Sequence, residues 1–283
     1  MAHPSFSALL ADASALGSLG DAVVALEADE TGVEPDQVRA RFVEALEVMR
    51  GAVERGLSGE ARSRSGLVGG DAAKVSAAAP HLFGDGFDHA LAAALATGEV
   101  NAAMGRIVAA PTAGASGVVP AVLLTIASRV SATDDRLANA LAAAGGVGAV
   151  IASRASLSGA SGGCQAEVGS AAAMAAAAGV ELAGGSPEQA GHAASLALQG
   201  LLGLVCDPVA GLVEVPCVAR NATGAAVAMA AVEMALAGVT FPIPFDEVVD
   251  AMAAVGRSLP PSLRETAQGG LAATPTAKRC CGG

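Results

Sequence analysis

Three of the five cysteines lie in the interior of the chain, and their thiols are the side chains best suited to metal binding. They are Cys164, Cys206 and Cys217. Zinc sites usually pair ligands about two to four residues apart, and ferredoxin-type clusters also use closely spaced cysteines. The wider spacing here indicates one of two things. Either the thiols form an unusual iron–sulfur centre with one open coordination position, or they are buried structural cysteines.

The three cysteines are predicted to lie at junctions between loops and helices, where residues distant in the chain can converge. Cys164 and Cys217 each precede a predicted helix, and Cys206 ends one that is expected to run toward Val205. The N-terminus of a helix stabilises a negative charge, so this position favours the thiolate of Cys164 and Cys217.

The sequence as a whole predicts an all-α fold, a compact Ala- and Gly-rich helical domain with functional loops at helix ends. It contains 36 glycines and only 2% aromatic residues, and small side chains let helices approach closely. A single catalytic domain is expected over residues 1–283, with an N-terminal helical segment over 1–60 and a flexible C-terminal tail over about 265–283. Helices are predicted over residues 35–55, 85–103, 120–130, 135–154, 166–180, 186–205, 218–238 and 246–257.

Charge and hydropathy narrow the class of protein. With 16 basic and 27 acidic residues and no basic patch, the chain is not expected to bind nucleic acid. The charge-free run from Ile107 to Ser128 is long enough to span a bilayer, but Pro111 and Pro120 interrupt it. No basic region followed by an apolar core marks the N-terminus. We therefore expect no membrane association and a cytoplasmic location.

Several strings of the sequence closely resemble one enzyme family. They are SLSGASGGCQAEVGSA (156–171), LGLVCDPVAGLVEVPCVARNATGA (202–225), NAAMGRIVAAPTAGASGVVPAVL (101–123), GLVGGDAAK (66–74) and ETAQGGLAATPT (265–276). The chain resembles the iron–sulfur-dependent L-serine dehydratases, or L-serine ammonia-lyases, and is similar to the α subunit of the two-subunit type.

This resemblance implies a reaction, a cofactor and a partner. The reaction is the conversion of L-serine to pyruvate and ammonia by loss of the hydroxyl group, in amino-acid degradation and gluconeogenesis. A 4Fe-4S cluster held by Cys164, Cys206 and Cys217 would act as a Lewis acid, with no pyridoxal phosphate. A β subunit would complete a hetero-oligomer.

Site residues beyond the cysteines are expected in several segments. Substrate-binding candidates occupy the small-residue loop and one position after the third cysteine: Pro111, Thr112, Ala113, Gly114, Ser116, Gly117 and Asn221. Fused family members often carry Asn at the position of Ala113, which makes a side-chain contact there doubtful. Candidates for the catalytic acid–base or charged group are Lys74, His81 and His89. A base supplied by the β subunit is an equal alternative, and His192 is interpreted as structural.

Two further hypotheses concern the regions next to the cysteines. Glu167 and Arg220 are expected to lie close to a bound cluster. In the tail, Cys280 or Cys281 is expected to reach back as a fourth ligand when substrate is absent. The alternatives for the chain as a whole are a dehydratase of threonine or another β-hydroxy amino acid, and a non-enzymatic membrane or scaffold protein with structural cysteines.

Overall fold

The computed structural model describes residues 5–79 and 82–281, and the residues it describes form helices and turns without a β-strand. The all-α prediction is confirmed. The helices are α1 (Phe6–Leu16), α2 (Leu19–Thr31), α3 (Pro35–Leu57), α4 (Asp71–Ser76), α5 (Asp85–Ala102), α6 (Val118–Val130), α7 (Asp134–Arg154), α8 (Gly159–Gly162), α9 (Ser170–Leu182), α10 (Pro187–Gln199), α11 (Cys217–Leu236), α12 (Phe245–Ser258) and α13 (Pro275–Cys281).

Local sequence signals account for where several helices begin. At α10, the Ser186 side chain accepts a hydrogen bond from the backbone N–H of Gln189, whose side chain accepts one from the backbone of Ser186. Pro187 occupies the first helical position, where a missing N–H is tolerated. Helix α2 is capped in a similar way by Ser18, which accepts from the backbone of Asp21.

Helix α9 forms the centre of the core, and α6, α7, α10 and α11 pack around it. Its residues from Ser170 to Val180 are all buried. Most of them are alanines, which let the surrounding helices approach closely. At Gly179 even a methyl group would not fit, because a Cβ there would lie 2.8 Å from Ile126 and 2.9 Å from Val232. This packing explains why so apolar a sequence needs so few aromatic residues.

The end of α9 anchors the N-terminal helices to this core. The carboxylate of Glu181 accepts hydrogen bonds from the backbone N–H groups of Leu19 at 2.7 Å and Gly20 at 3.0 Å, in the first turn of α2. Burial raises the pKa of Glu181 to about 7, against the effect of these hydrogen bonds. Helix α3 in turn packs against α5 and α7, so the N-terminal helices contact the central ones directly.

Two segments are long and apolar enough to cross a membrane by length and composition, 113–130 and 134–154. In this fold, 56% and 67% of their apolar windows are buried against other helices. The first segment is not one continuous α-helix, because α6 begins only at Val118. Its helical portion contains Pro120 in the first turn, as the position of that proline predicts.

The structure differs from the sequence-based prediction in two places. Helix α10 ends at Gln199 rather than near Val205, and Gly203 follows with a positive φ of 83°. Two glycines in four residues favour this early end, since they carry no side chain to pack on the helix. The segment predicted as a flexible tail contains a 3-10 turn at Gly270–Ala273 and the helix α13.

Candidate active site

The three interior cysteines come together around one cavity, although they lie in three separate segments of the chain. Cys164 and Cys206 are buried, with 3% and 4% of their surface exposed, and Cys217 is partly buried. The cavity is small, with about 20 Å³ open to the centre of a water molecule. Its lining consists of Gly114, Cys164, Glu167, Cys206, Pro208, Val213, Cys217 and Glu265. Thus two carboxyl groups and three thiols face the same space.

Cys164 is held in place by its neighbour Gln165, which is completely buried. The Gln165 side-chain amide donates to the carbonyl oxygens of Gly162 at 2.9 Å and Met252 at 3.0 Å, and accepts from the N–H of Gly203 at 2.9 Å. The Gln165 side chain thus forms hydrogen bonds to three different segments of the chain. Gln165 fixes the loop of Cys164 to α12 and to the turn after α10.

Cys206 lies in an extended segment, not at the end of a helix as the sequence predicted. Its N–H donates to the carbonyl of Leu263 at 2.9 Å, and its own carbonyl accepts from the N–H of Glu265 at 2.7 Å. This isolated parallel bridge between Cys206 and Arg264 brings the 263–265 segment alongside the cysteine. The C-terminal region thereby becomes part of the site.

Cys217 is the first residue of α11, and Asn221 one turn later connects it to the small-residue loop. The Asn221 amide donates to the carbonyl oxygens of Gly114 at 2.8 Å and Cys217 at 2.9 Å. Its Oδ1 accepts from the N–H of Gly117 at 2.8 Å. Because Asn221 is only 1% exposed, its side chain positions the loop and does not face solvent.

Glu167 lies between the small-residue loop and Cys206. Its Oε1 accepts a hydrogen bond from the Thr112 hydroxyl at 2.8 Å, and its Oε2 lies 3.8 Å from the Cys206 sulfur. Burial raises the pKa of Glu167 above its ordinary value, and the Thr112 hydrogen bond offsets part of this effect. A Cβ at Gly159 would lie 2.6 Å from Oε2 and 2.8 Å from the Cys206 sulfur, so a glycine is required there.

An ion pair between the partly buried Arg220 and the buried Asp207 lies beside the loop of the second cysteine. The Arg220 guanidinium lies 2.8 Å from Asp207 Oδ1 and donates to the Val205 carbonyl at 2.8 Å. The other Asp207 oxygen accepts from the N–H of Leu271 at 2.6 Å. Gly270 lies so close that a Cβ there would be 2.3 Å from Asp207 Oδ2. Asp207 therefore fixes the C-terminal segment against the loop of the second cysteine.

Burial dominates the electrostatics of the three thiols. It raises the pKa of Cys164 to about 11 and that of Cys217 to about 12, and it also raises the pKa of Cys206. The positive charge of Arg220 offsets part of this effect at Cys164. The expectation that helix N-termini favour thiolates at Cys164 and Cys217 is therefore outweighed by desolvation. Without a cation to stabilise them, these thiols stay protonated at neutral pH.

Other residues of the small-residue loop lie near the site without lining the cavity. Ala113 and Gly114 belong to a 3-10 turn at Ala113–Ala115, and of the loop only Gly114 lines the cavity. Ser116 is completely buried, and its hydroxyl has no hydrogen-bond partner among the described residues. Pro111 follows a cis peptide bond.

Neither Lys74 nor His89, two of the predicted acid–base residues, lines the cavity of the three cysteines. The Lys74 side chain is 76% exposed and forms an ion pair with Asp71 at 2.6 Å. His89 forms a hydrogen bond to Thr125 at 2.8 Å. Thr125 is eight residues along α6 from Gly117, a distance of about 12 Å by helix rise. His81 lies outside the described residues.

His192 and Cys280 also do not line the cavity. Nδ1 of His192 accepts a hydrogen bond from the N–H of Phe241 at 3.2 Å, in keeping with a structural role. Cys280 is an exposed free thiol on α13. The side chain of Cys281 lies outside the described part of the chain.

Sequence reasoning assigned no role to Glu265, Gln165 or Asp207. The sequence signal for Glu265 is its place in the ETAQGG string, one of the strings that carry the family resemblance. Gln165 and Asp207 each follow a cysteine directly, so proximity in the chain marked them. Their contacts depend on segments about 40 to 90 residues away, which the spacing of motifs does not reveal.

Comparison with known proteins gives a consistent result. Residues 16–272 match the family described as serine dehydratase alpha chain. The chain is 52% identical over 263 residues to the probable L-serine dehydratase, alpha chain, of Bacillus subtilis, covering 92% of this chain and 87% of that protein. It is 42% identical over 262 residues to the L-serine dehydratase, alpha chain, of Peptoniphilus asaccharolyticus, covering 92% and 90%.

A third relative, L-serine dehydratase 1 of Escherichia coli, is 48% identical over 181 residues. That match covers 63% of this chain and 40% of the relative. The match to the family extends through all three cysteine loops and ends within the segment that pairs with Cys206 and Asp207. The chain therefore belongs to the serine dehydratase alpha chain family.

Proposed function

We propose that this chain is the catalytic subunit of an L-serine dehydratase, which converts L-serine to pyruvate and ammonia. The observation that carries the proposal is the convergence of Cys164, Cys206 and Cys217 on one cavity that Glu167 and Glu265 also line. Buried structural cysteines would have no need of two carboxyl groups beside them. Membership of the family supports the same activity, because the relatives named above are L-serine dehydratases.

The donor set fits a 4Fe-4S cluster better than a single metal ion. Among the described residues, no three Cys, His, Asp or Glu side chains are close enough together to hold one ion. An iron–sulfur cluster is larger than an ion and is held by cysteine thiolates from its periphery. Three thiols whose pKa is raised by burial would also bind such a centre with release of their protons.

Cys164, Cys206 and Cys217 would hold the cluster. When bound, it would supply a Lewis-acidic iron, without a fourth protein thiolate, that stabilises the departing hydroxide of the substrate. The described residues around the thiols have roles of their own. Arg220 places a positive charge close to Cys164, and Gln165 and Asn221 fix the loops from which the first and third thiols project.

The substrate would bind between the small-residue loop and the cysteines. Its carboxylate needs hydrogen-bond donors, which the loop from Pro111 to Gly117 offers through backbone N–H groups and the Thr112 hydroxyl. Thr112 already donates to Glu167, so a substrate carboxylate there would compete for the same hydroxyl. Asn221 binds both this loop and the backbone of Cys217, and so sets the distance between them.

Elimination also requires removal of the proton on the α-carbon. Glu167 is a partly buried carboxyl group whose Oε2 lies 3.8 Å from the second thiol. Burial raises its pKa, which makes it a stronger proton acceptor than an ordinary carboxylate. We propose Glu167 ahead of Lys74 and His89 for this role, because those two side chains lie away from the cavity. The designation of close relatives as alpha chains supports a second, β subunit in a cytoplasmic hetero-oligomer that degrades serine.

The test is a pyruvate assay on the anaerobically reconstituted protein, with and without a candidate partner chain. L-Serine should yield pyruvate, and L-threonine should yield 2-oxobutyrate more slowly or not at all. Preference for threonine would replace the substrate and keep the reaction type. No turnover of either amino acid by a protein that has full iron and sulfide content would overturn the proposal.

A further inference from the structure

Glu265 has a backbone conformation that side chains other than glycine rarely adopt. Its φ is 63°, in the left-handed region, where the Cβ of an L-residue is crowded by its own backbone. Glycine would have relieved this strain at no cost in hydrogen bonding, because only the N–H of Glu265 is used in the bridge to Cys206. The presence of glutamate at such a position indicates that its side chain has a use.

The carboxylate of Glu265 lies where a ligand of the cysteine cavity would meet it. The residue is exposed overall, yet it lines the same cavity as the three buried thiols and Glu167, which places it at the mouth. Its backbone N–H donates to the Cys206 carbonyl at 2.7 Å, which fixes the residue beside the second thiol. No side chain among the described residues forms a hydrogen bond or an ion pair with this carboxylate.

The other acidic side chains near the cavity are already occupied. Glu167 accepts from Thr112 and lies against the sulfur of Cys206. Asp207 pairs with Arg220 and accepts from Leu271. Glu265 is thus the carboxylate at this site that retains its full capacity to accept hydrogen bonds from a ligand.

An amino acid enters such a site as a zwitterion, and each of its charges needs a partner. Backbone N–H groups of the small-residue loop suit its carboxylate, whereas its ammonium group requires a negatively charged acceptor. We propose that Glu265 binds the α-ammonium group of the amino-acid substrate and so selects amino acids over hydroxy acids and simple alcohols. This inference rests on the proposed function, since it names how that site recognises its substrate.

The experiment compares two probes that differ only in the ammonium group. These are L-serine and 3-hydroxypropionate, which carries hydrogen in place of that group. Their affinities for the anaerobically reconstituted full chain are measured from the rapid change in the visible absorbance of the cluster on mixing, before turnover consumes L-serine. The variants are Glu265→Gln, which removes the charge, and Glu265→Gly, which also relieves the left-handed strain. Gln268→Ala, an exposed position in the same segment, is the matched control.

We expect both Glu265 variants to bind L-serine about 10- to 100-fold more weakly, the range for loss of a charged hydrogen bond. Affinity for 3-hydroxypropionate should stay the same or improve, and Gln268→Ala should match the unchanged protein for both probes. Glu265→Gly should fold and bind iron normally, which keeps the test decisive if Glu265→Gln does not fold.

Three results would overturn the proposal. Equal weakening of both probes would assign Glu265 a structural role, and unchanged L-serine affinity would show that its carboxylate does not contact the ammonium group. A fall in kcat with unchanged L-serine affinity would identify a proton-transfer role instead. If the unchanged, cluster-loaded protein neither binds nor converts L-serine, the proposed function itself fails, and that outcome is separate from any effect of the variants.

Discussion

Replacing Asn221 by alanine should destabilise the fold, because its amide joins two segments of the site. The change would leave the N–H of the buried Gly117 without an acceptor and the carbonyl of the partly buried Gly114 without its donor. A buried polar group that loses its partner costs about 1–3 kcal/mol. The third partner, the carbonyl of Cys217, keeps its helical hydrogen bond to the backbone of the same residue 221, so we count only two losses. Two full losses would sum to about 2–6 kcal/mol. Because Gly114 is only partly buried and water can reach it, we expect a loss of about 2–4 kcal/mol in the free energy of unfolding.

The assay is urea unfolding followed by far-ultraviolet circular dichroism, since the chain has no Trp or Tyr for fluorescence. Thr223→Ala is the matched control, because Thr223 is exposed on the same helix and bonds only to the carbonyl of Ala219. That variant should lie within about 0.5 kcal/mol of the unchanged protein. An Asn221→Ala variant that is as stable as Thr223→Ala would refute the role given to Asn221 as the connection between the loop and α11.

Two further predictions concern packing and pH. Gly159→Ala should reduce iron binding strongly, because its methyl group would lie within 2.8 Å of both Glu167 Oε2 and the Cys206 sulfur. Gly51→Ala is the control, because a methyl group there meets free space, and it should bind iron normally. The measurement is the iron content of the two purified variants, and equal content would contradict the prediction. Glu181, with its pKa raised from 4.5 to about 7, holds a proton in the folded state that the unfolded chain releases, so stability should fall as pH rises from about 4.5 to 7. Glu181→Gln should remove up to about 3 kcal/mol of that fall, measured by urea unfolding at pH 5 and pH 8. The same pH dependence in the variant and in the unchanged protein would contradict the raised pKa of Glu181.

Much of the fold follows from local signals that the sequence displays openly. The cap at Ser186 and the proline after it predicted the start of α10 correctly, and the prolines in the charge-free run predicted that it would not form one long helix. The predicted end of α10 was wrong because Gly200 and Gly203 terminate the helix although the apolar pattern continues beyond them. Helix starts depend on neighbours in the chain, whereas this end depends also on Gln165, which binds Gly203 from another loop.

The site, like the fold, has features that the sequence predicts and features that depend on distant segments of the chain. The family resemblance implied that Cys164, Cys206 and Cys217 converge, and Cys217 does begin a helix as predicted, whereas Cys206 does not lie at a helix end. The partners that fix the three cysteines were not predicted, because Glu265 reaches Cys206 through a backbone bridge formed by a segment that looked like a flexible tail. Lys74 and His89 were chosen for their residue types. In the fold, Lys74 forms an exposed ion pair, and His89 on α5 forms a hydrogen bond with Thr125 on α6. The residue type alone therefore did not predict which side chains line the cavity.

The most direct test of the central claim is the iron and acid-labile sulfide content of the anaerobically reconstituted protein and its cysteine variants. The unchanged chain should hold about four irons and four sulfides. Single serine substitutions of Cys164, Cys206 and Cys217 should each lose most of this content, while Cys280→Ser, at an exposed thiol, should retain it. Full iron and sulfide content in any of the first three variants would contradict the claim that these three thiols together hold the catalytic cluster.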